Sequence, residues 1–290
     1  MQFAASARKC PHCQGALQKR INRPARWCFR IPDTFSYDLG ALIEPLAVAV
    51  HAHRRGGLAD ADVDVDQTQN ILVLGAGPVG LLVAAVCRYA HLQRAGRDKA
   101  AGLHIVMLDL IQDRVDFAVQ QGFADVGVVL PRDLLGQTDA DKDDDKAGLP
   151  PKFTNPRALS ELLVAKARDG ALYDVTFECT GQESSVQTGI FSTLPGGRIV
   201  IVGMGASAQR IPLGTAAAKE VDIVGVFRYA NDYPEAIRLL READAEQLAH
   251  MEKIVSHRFS GLANAAAAFE RASKPYDEDG KLVLKVMIEP

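Results

Sequence analysis

The stretch Ile71-Leu-Val-Leu-Gly-Ala-Gly-Pro-Val-Gly80, followed by Leu-Leu-Val-Ala-Ala-Val, decides the fold. Its apolar start is typical of a buried parallel strand, and the residues after Gly80 continue as an apolar helix. The glycines stand where a strand–turn–helix unit needs them to bind a dinucleotide pyrophosphate. Gly75 permits the tight turn, Gly77 lets a phosphate approach the backbone, and Gly80 lets helix and strand pack closely. The helix N-terminus adds free N–H groups and a positive dipole end.

A second strand that ends in an acid follows at residues 104–109. A carboxylate at Asp109 would bind the adenosine ribose hydroxyls and repel a 2′-phosphate, so the pattern predicts NAD rather than NADP. Asp109 lies 29 residues beyond Gly80, whereas about 20 is usual. The polar segment 91–102 accounts for the excess, and we interpret it as an inserted loop. A buried strand and glycine turn without any nucleotide is the alternative.

Strand-like runs alternate with helix-like segments along the chain. The strand-like runs are 71–76, 104–109, 126–130, 172–179, 197–203 and 221–227, and helical patterns occupy 157–169 and 183–194. Near-continuous apolar strands in this alternation favour a parallel sheet covered on both faces. The predicted fold class is therefore α/β, a doubly wound parallel six-stranded Rossmann sheet whose ligand lies across the carboxyl ends of the strands. The acidic segment 137–151 is predicted to be a surface loop.

Composition narrows the function further. The net charge of the 290 residues is −3, which does not indicate nucleic acid or an anionic membrane surface as a partner. The uncharged run 71–87 is interrupted by three glycines and a proline, so burial in the α/β core is favoured over a membrane span. The N-terminus shows no apolar signal region, and the five cysteines have no framework spacing. A cytoplasmic protein with reduced thiols is expected.

Two motifs outside the sheet region are more specific. Residues 40–46 read Gly-Ala-Leu-Ile-Glu-Pro-Leu, and residues 227–234 read Phe-Arg-Tyr-Ala-Asn-Asp-Tyr-Pro. With these motifs the chain resembles the zinc-type medium-chain dehydrogenases, and within them the polyol group of sorbitol, xylitol and L-arabinitol dehydrogenases. The resemblance runs from about residue 14 to the end. It also rests on residues 40–56, 75–80, 178–185, 202–205, 226–234, 256–259 and 285–288, and residues 23–28 resemble the fungal L-arabinitol or xylitol branch.

The resemblance implies NAD as the cofactor and a small polyol as the substrate. Asp109 and Arg114 would hold the adenosine ribose, and Val79 would contact the pyrophosphate region. Glu44 would face the catalytic zinc site and contact the substrate or metal-bound water, and Arg228 and Tyr229 would bind polyol hydroxyls. The nicotinamide would be framed by two short segments, namely Val202, Gly203 and Met204, and Val226, Phe227 and Arg228.

The resemblance also implies a domain organisation. Residues 1–46 would be the later part of a GroES-like catalytic domain, whose first part we expect to be missing here. Residues 47–230 would be the NAD-binding Rossmann domain, and residues 231–290 would return to the catalytic domain. Members of this family commonly form dimers or tetramers through the nucleotide domain, so a homo-oligomer is expected.

The zinc expected for the family has no complete site in this sequence. Its ligands in the family include a cysteine and a Gly-His-Glu segment, and Gly-His-Glu occurs nowhere in the chain. We therefore assign no metal-ligating residues. Cys10 and Cys13, which flank Pro-His, form one Cys-x-x-Cys without a second pair, so loose thiols are favoured over a zinc site. His51, His53 and His257 are interpreted as structural.

Three hypotheses for the function remain open. The first is an NAD-dependent polyol dehydrogenase that forms a ketose by zinc-assisted hydride transfer. The others are a catalytically inactive NAD-binding paralogue and a gene-model fragment that lacks the zinc site. A short-chain dehydrogenase is excluded, because none of the six tyrosines is followed four residues later by the lysine of Tyr-x-x-x-Lys.

Overall fold

The computed structural model of the protein describes residues 15, 17–58, 68–95, 102–131, 134 and 155–289. These residues form two compact units. The central unit contains the described residues from Ala52 to Phe227. The flanking unit contains those up to His51 and from Arg228 onward. The divisions between the two units thus lie at 51/52 and 227/228.

A six-stranded parallel sheet forms the centre of the central unit. Its strands are β1 (Gln69–Leu74), β2 (Leu103–Asp109), β3 (Val126–Val129), β4 (Tyr173–Glu178), β5 (Thr193–Ile201) and β6 (Asp222–Gly225). Their spatial order is β3-β2-β1-β4-β5-β6, and every neighbouring pair is parallel. The order reverses between β1 and β4, which is the switch point where such sheets bind their ligands. The predicted doubly wound α/β fold is confirmed.

Helices alternate with the strands as the pattern predicts. Helix α1 (Tyr37–Arg55) precedes β1, and the helices that connect the strands are α2 (Pro78–Ala95), α3 (Gln112–Gln120), α4 (Pro156–Val164), α5 (Glu183–Ser192) and α6 (Leu213–Ala218). The start of α4 shows why the sequence begins a helix there. Asn155 Oδ1 accepts the Ala158 N–H at 3.0 Å, and Pro156 occupies the first helical position, where its missing N–H costs nothing.

Aliphatic side chains from the strands and helices form most of the hydrophobic core. One cluster consists of Leu72, Leu74, Val106, Leu108, Val128, Leu130, Leu159, Leu163, Ala167 and Tyr173, and another of Val186, Ile190, Ile199, Ala216 and Val221. The hydroxyl of the fully buried Tyr173 donates to the Leu163 carbonyl oxygen at 2.5 Å. Because that donor has a partner, the large ring is buried without an unsatisfied polar group.

Helix α2 corrects one interpretation of the sequence. The segment 91–102 was expected to be an inserted loop, but α2 continues to Ala95. His-Leu-Gln-Arg-Ala contains no helix-breaking residue before Gly96, so the helix has no local reason to stop earlier. The acidic segment 137–151 lies outside the described residues, as do Cys10 and Cys13. Within the described ranges, no helix is long and apolar enough to cross a membrane.

The flanking unit holds a smaller, two-stranded parallel sheet. Its strands are β7 (Val255–Ser260) and β8 (Lys285–Glu289), and its helices are α7 (Tyr233–Glu242), α8 (Ala245–Glu252) and α9 (Ala265–Ala272). His257 lies on β7, with Nδ1 2.8 Å from Ser256 Oγ and Nε2 3.0 Å from Asp277 Oδ2. The hydrogen bond from His257 lowers the pKa of Asp277. The imidazole therefore joins the strand to the 275–283 turn.

Candidate functional site

The glycine turn after β1 has the geometry of an anion cradle. Gly75 adopts φ 106°, a conformation that L side chains rarely adopt, and its N–H donates to the Leu108 carbonyl oxygen at 2.7 Å. A Cβ at Gly80 would overlap the Gly75 carbonyl oxygen, so only glycine lets α2 approach β1 this closely. A Cβ at Gly77 would meet nothing within 4 Å. The backbone at Gly77 is thus open toward a cleft.

That cleft lies at the carboxyl ends of β1, β2, β3 and β4 and has a volume of about 320 Å³. Its wall combines the glycine turn, the end of β2 and the segment after β4. The lining residues are Gly75, Gly77, Leu108, Asp109, Leu110, Ile111, Arg114, Leu130, Cys179, Thr180, Gln182 and Ser185. A mostly apolar cleft with a few convergent polar groups, at the switch point of a doubly wound sheet, is typical of a nucleotide site.

Asp109 is fixed at the last position of β2. Its Oδ2 accepts the Ala76 N–H at 2.7 Å, and its Oδ1 accepts the Ile111 N–H at 3.0 Å. The two hydrogen bonds hold the carboxylate beside the glycine turn and within the cleft wall. Each carboxylate oxygen has a second acceptor site, which a sugar hydroxyl can use.

Arg114 brings a positive charge to the same cleft. It lies in the first turn of α3, and its Nε is buried without a hydrogen-bond partner among the described residues. A buried donor of this kind is costly unless a ligand or water satisfies it. The glycine turn, the carboxylate of Asp109 and the cation of Arg114 together fit the phosphate and ribose groups of a dinucleotide.

The other predicted cofactor residues lie outside the wall of this cleft. Val79 is in the first turn of α2 and is half-buried. The segment Val202, Gly203 and Met204 follows β5, and Val226 and Phe227 follow β6. Met204 is 88% exposed and Phe227 is 69% exposed. All six residues therefore lie just beyond a strand end or at a helix start, and Met204 and Phe227 present large apolar side chains to the surface.

In the flanking unit, Glu44 lies in the middle of α1, one residue before Pro45. It lies seven residues beyond Tyr37, the first residue of the helix, and is therefore not a helix N-terminal acid. Burial raises the pKa of Glu44, and the nearby positive charges of Lys285 and Arg228 act in the opposite direction. Burial likewise lowers the pKa of Lys285, against the influence of Glu44. The helix interior therefore presents an acid beside two cations.

The segment that carries Arg228 and Tyr229 is tightly held within the flanking unit. Arg228 adopts φ 56°, and Tyr229 is buried with its ring edge-on to Tyr233 at a centroid distance of 5.1 Å. Asp232 is fully buried; its Oδ2 accepts the Ala230 N–H at 2.7 Å and lies 3.3 Å from His51 Nδ1. These contacts give the predicted polyol-binding residues fixed positions and support a structural role for His51.

The described residues do not fit the family's zinc. No group of three His, Cys, Asp or Glu side chains in the described ranges could hold a metal ion. The partners that the structure places near Glu44 are the cations of Lys285 and Arg228, which are not metal ligands. We therefore derive no step through a metal from this chain.

Comparison with known protein families is decisive for the assignment. A family model described as "Zinc-binding dehydrogenase" matches residues 98–242, which is half of the chain. The chain belongs to the zinc-binding dehydrogenase family. Both the fold and the polyol-type motifs agree with this membership.

Individual relatives show which branch the chain is similar to. It is 37% identical to mouse sorbitol dehydrogenase over 284 residues, which cover 96% of this chain and 64% of that protein. It is 32% identical to L-arabinitol 4-dehydrogenase of Aspergillus oryzae over 280 residues, covering 96% of this chain and 63% of that one. The chain thus spans just under two thirds of the length of these curated relatives.

Among solved structures, the fold is similar to that of L-idonate 5-dehydrogenase from Escherichia coli K-12. The TM-score is 0.69 at 23% sequence identity, with 99% of this chain and 67% of that chain covered. At this identity the likeness concerns the fold alone, and it agrees with the observed sheet order.

Sequence reasoning missed much of the cleft wall. The residues after β4, such as Thr180, Gln182 and Ser185, line the cleft, but no role was predicted for them. The available signal was topological, because carboxyl ends of adjacent parallel strands meet at one edge of the sheet. Cys179 is half-buried and also lines the cleft, whereas Cys87 is buried.

Proposed function

We propose that this chain supplies the NAD-binding site, and part of the polyol-binding site, of an NAD-dependent polyol dehydrogenase. The observation that carries the proposal is the cleft in which the open backbone of Gly77, the fixed carboxylate of Asp109 and the buried Nε of Arg114 converge. When bound there, NAD supplies the hydride-acceptor chemistry of a dehydrogenase. The residues of the chain bind and orient it.

Each of the three groups has a distinct task in this proposal. The backbone at Gly77 and the N-terminus of α2 receive the pyrophosphate, since helix N-termini attract anions. Asp109 accepts hydrogen bonds from the adenosine ribose, and its charge disfavours the 2′-phosphate of NADP. Arg114 then donates to the ribose or to a phosphate, which satisfies its buried Nε.

The substrate class follows from the relatives and from the flanking unit. The similar proteins are named for sorbitol and L-arabinitol, both of which are short carbon chains that carry several hydroxyl groups. The flanking unit holds an acid, a cation and a phenol at Glu44, Arg228 and Tyr229, and such groups can bind hydroxyls as acceptors and donors. Oxidation of a polyol to a ketose is the activity that this combination supports.

A binding experiment tests the cofactor assignment. The purified chain is titrated calorimetrically with NADH and with NADPH under the same buffer conditions at pH 8. NADH is expected to bind at least tenfold more tightly, because Asp109 repels the extra phosphate. Equal affinity for the two cofactors, or a preference for NADPH, would refute the proposed role of Asp109.

An activity assay then separates the polyol dehydrogenase from an NAD-binding protein without turnover. Reduction of NAD⁺ is followed at 340 nm with sorbitol, xylitol or L-arabinitol, with and without added zinc. We expect negligible turnover from this chain alone, because its described residues assemble no metal site. Robust zinc-dependent turnover would show that the metal donors lie in the part of the chain that the structure does not describe.

A further inference from the structure

Glu178, the last residue of β4, is a fully buried carboxylate that no proposed role has yet used. Its Oε1 accepts the backbone N–H of Thr180 at 2.7 Å and that of Gly181 at 2.9 Å, and it also accepts the Thr180 hydroxyl. Its Oε2 lies 3.1 Å from the Gly181 nitrogen. A buried carboxylate is tolerated only when donors surround it in this way.

The main chain of Glu178 holds a second loop. Its carbonyl oxygen accepts the N–H groups of Val202 and Gly203 at 2.8 and 2.9 Å, just beyond the end of β5. Glu178 therefore uses its side chain to hold the 179–182 loop and its backbone to hold the 202–205 loop.

The backbones of the two loops are in direct contact next to this carboxylate. Gly181 adopts φ 77°, and a Cβ there would lie 2.6 Å from the Met204 carbonyl carbon. A Cβ at Gly203 would overlap the Gly181 nitrogen and lie 2.8 Å from Glu178 Oε2, and one at Gly205 would overlap the Gly181 oxygen. No L side chain fits at these three positions without a shift, so the loops are interlocked through glycines.

One of these loops lines the cleft, and the other carries residues that are expected at the nicotinamide. The first loop contributes Cys179, Thr180 and Gln182 to the cleft wall. The second contains Val202 and Met204, which the family resemblance places at the nicotinamide. We propose that Glu178 is a positioning residue whose carboxylate fixes the 179–182 loop and, through the glycine contacts between the loops, holds the 202–205 loop beside the nicotinamide half of the cofactor. The inference rests on the proposed NAD function.

The substitution Glu178→Gln tests this role with little change in volume. The glutamine keeps one acceptor oxygen, but its NH₂ group replaces the other oxygen and faces the N–H donors of the loop. With the amide oxygen at the Oε1 position, the NH₂ group faces the Gly181 N–H, so a donor lies against a donor; with the amide reversed, the Thr180 N–H and hydroxyl lose their acceptor. In either orientation the loop has to move. Asp174→Asn is the matched control, because Asp174 is a partly buried acid at the opposite end of β4 and accepts the Asn70 N–H at 2.8 Å.

The measurement compares NADH with AMP, which contains only the adenosine half of the cofactor. Both affinities are measured at pH 8 on each purified variant, after thermal unfolding has shown that the variant is folded. For Glu178→Gln we expect at least tenfold weaker NADH binding and a clearly smaller loss of AMP binding, because the 179–182 loop also lines the cleft that holds the adenosine ribose. Asp174→Asn is expected to bind both ligands as the wild type does, whatever its stability.

Two results would overturn the inference. One is a folded Glu178→Gln variant that binds NADH within threefold of the wild type, and the other is an equal loss for NADH and AMP. If the wild-type chain binds neither ligand, the proposed NAD function itself fails. Should Glu178→Gln not fold, Gly205→Ala tests the interlock from the second loop, because Gly205 lies outside the cleft wall and its Cβ would overlap the Gly181 oxygen. The same selective loss of NADH is expected, and unchanged NADH binding would refute the interlock.

Discussion

Alanine substitutions at two positions of the same glycine turn should affect different properties of the protein, stability in one case and cofactor affinity in the other. Gly80→Ala places a methyl group against the Gly75 carbonyl, where it would overlap the oxygen and lie 3.1 Å from the carbon. Gly77→Ala places the same methyl in open space, with no atom within 4 Å, on the wall of the cleft. The first substitution should therefore affect folding and the second cofactor binding.

The expected magnitudes follow from these surroundings. At Gly80 the obstacle is backbone, which cannot rotate away, so a destabilisation of about 1–3 kcal/mol or more is expected from overpacking. Gly77 lacks the positive φ that would strain an alanine, so its unfolding free energy should stay level or rise by about 0.4–1 kcal/mol. A methyl that displaces a phosphate from one backbone N–H removes a charged hydrogen bond of about 1.5–3 kcal/mol, or roughly 10- to 150-fold in affinity.

Urea unfolding followed by circular dichroism measures the stability of both variants, and calorimetric titration with NADH measures their affinity. The expected pattern is a stable Gly77→Ala that binds poorly and an unstable Gly80→Ala. If folded Gly77→Ala binds NADH as tightly as the wild type, the turn does not hold the pyrophosphate. If Gly80→Ala is as stable as the wild type, the close approach of α2 to β1 does not need glycine.

Three further outcomes are expected from other parts of the central unit. Asp109→Asn removes the charge that repels a 2′-phosphate, so the ratio of NADPH to NADH dissociation constants should fall at least tenfold; an unchanged ratio would assign the selectivity to another residue. Lys219→Met removes the ammonium that donates to the carbonyls of Ile190 at 3.3 Å, Phe191 at 3.0 Å and Thr193 at the end of α5. Because the three carbonyl groups lose their partner, the free energy of unfolding measured in urea should fall by about 1–3 kcal/mol, while the NADH affinity stays unchanged. A fall of less than about 0.5 kcal/mol, which is typical of an ordinary surface substitution, would contradict this prediction. Burial raises the pKa of Glu178 above its usual value of 4.5, so the folded state holds this proton more tightly than the unfolded state. That stabilisation is present below pH 4.5 and is lost as the pH rises through the raised pKa, so the stability advantage of the wild type over Glu178→Gln should shrink as the pH rises above 4.5. An advantage that grows with pH would refute the direction of the shift.

The sheet could be predicted because its signals are local in the sequence. A run of apolar residues such as 71–74 has no polar face to turn toward water, so it fits only a strand covered on both sides. The glycine turn is equally local, because the positive φ of Gly75 and the approach of Gly80 to the Gly75 carbonyl oxygen both arise within the same ten residues. The end of α2 was misjudged for the complementary reason. A polar composition at 91–95 resembles a loop, but polar residues without a breaker also suit the exposed end of a helix.

The cleft could not be predicted in the same way, because its wall comes from the ends of four strands that are far apart in the chain. Asp109 was predictable from its position after an apolar strand, whereas nothing near Glu178 in the sequence shows that its carboxylate is buried rather than exposed. Burial of that acid depends on backbone donors at Thr180 and Gly181, and its role depends on the second loop that begins at Val202. A charged residue at a strand end is an ordinary surface feature until tertiary structure closes a loop over it. For this reason only the folded chain reveals that a buried acid holds two loops in place. The importance of Glu178 is best judged by the change in NADH affinity when Glu178→Gln removes the charge of the side chain and leaves its size almost unchanged.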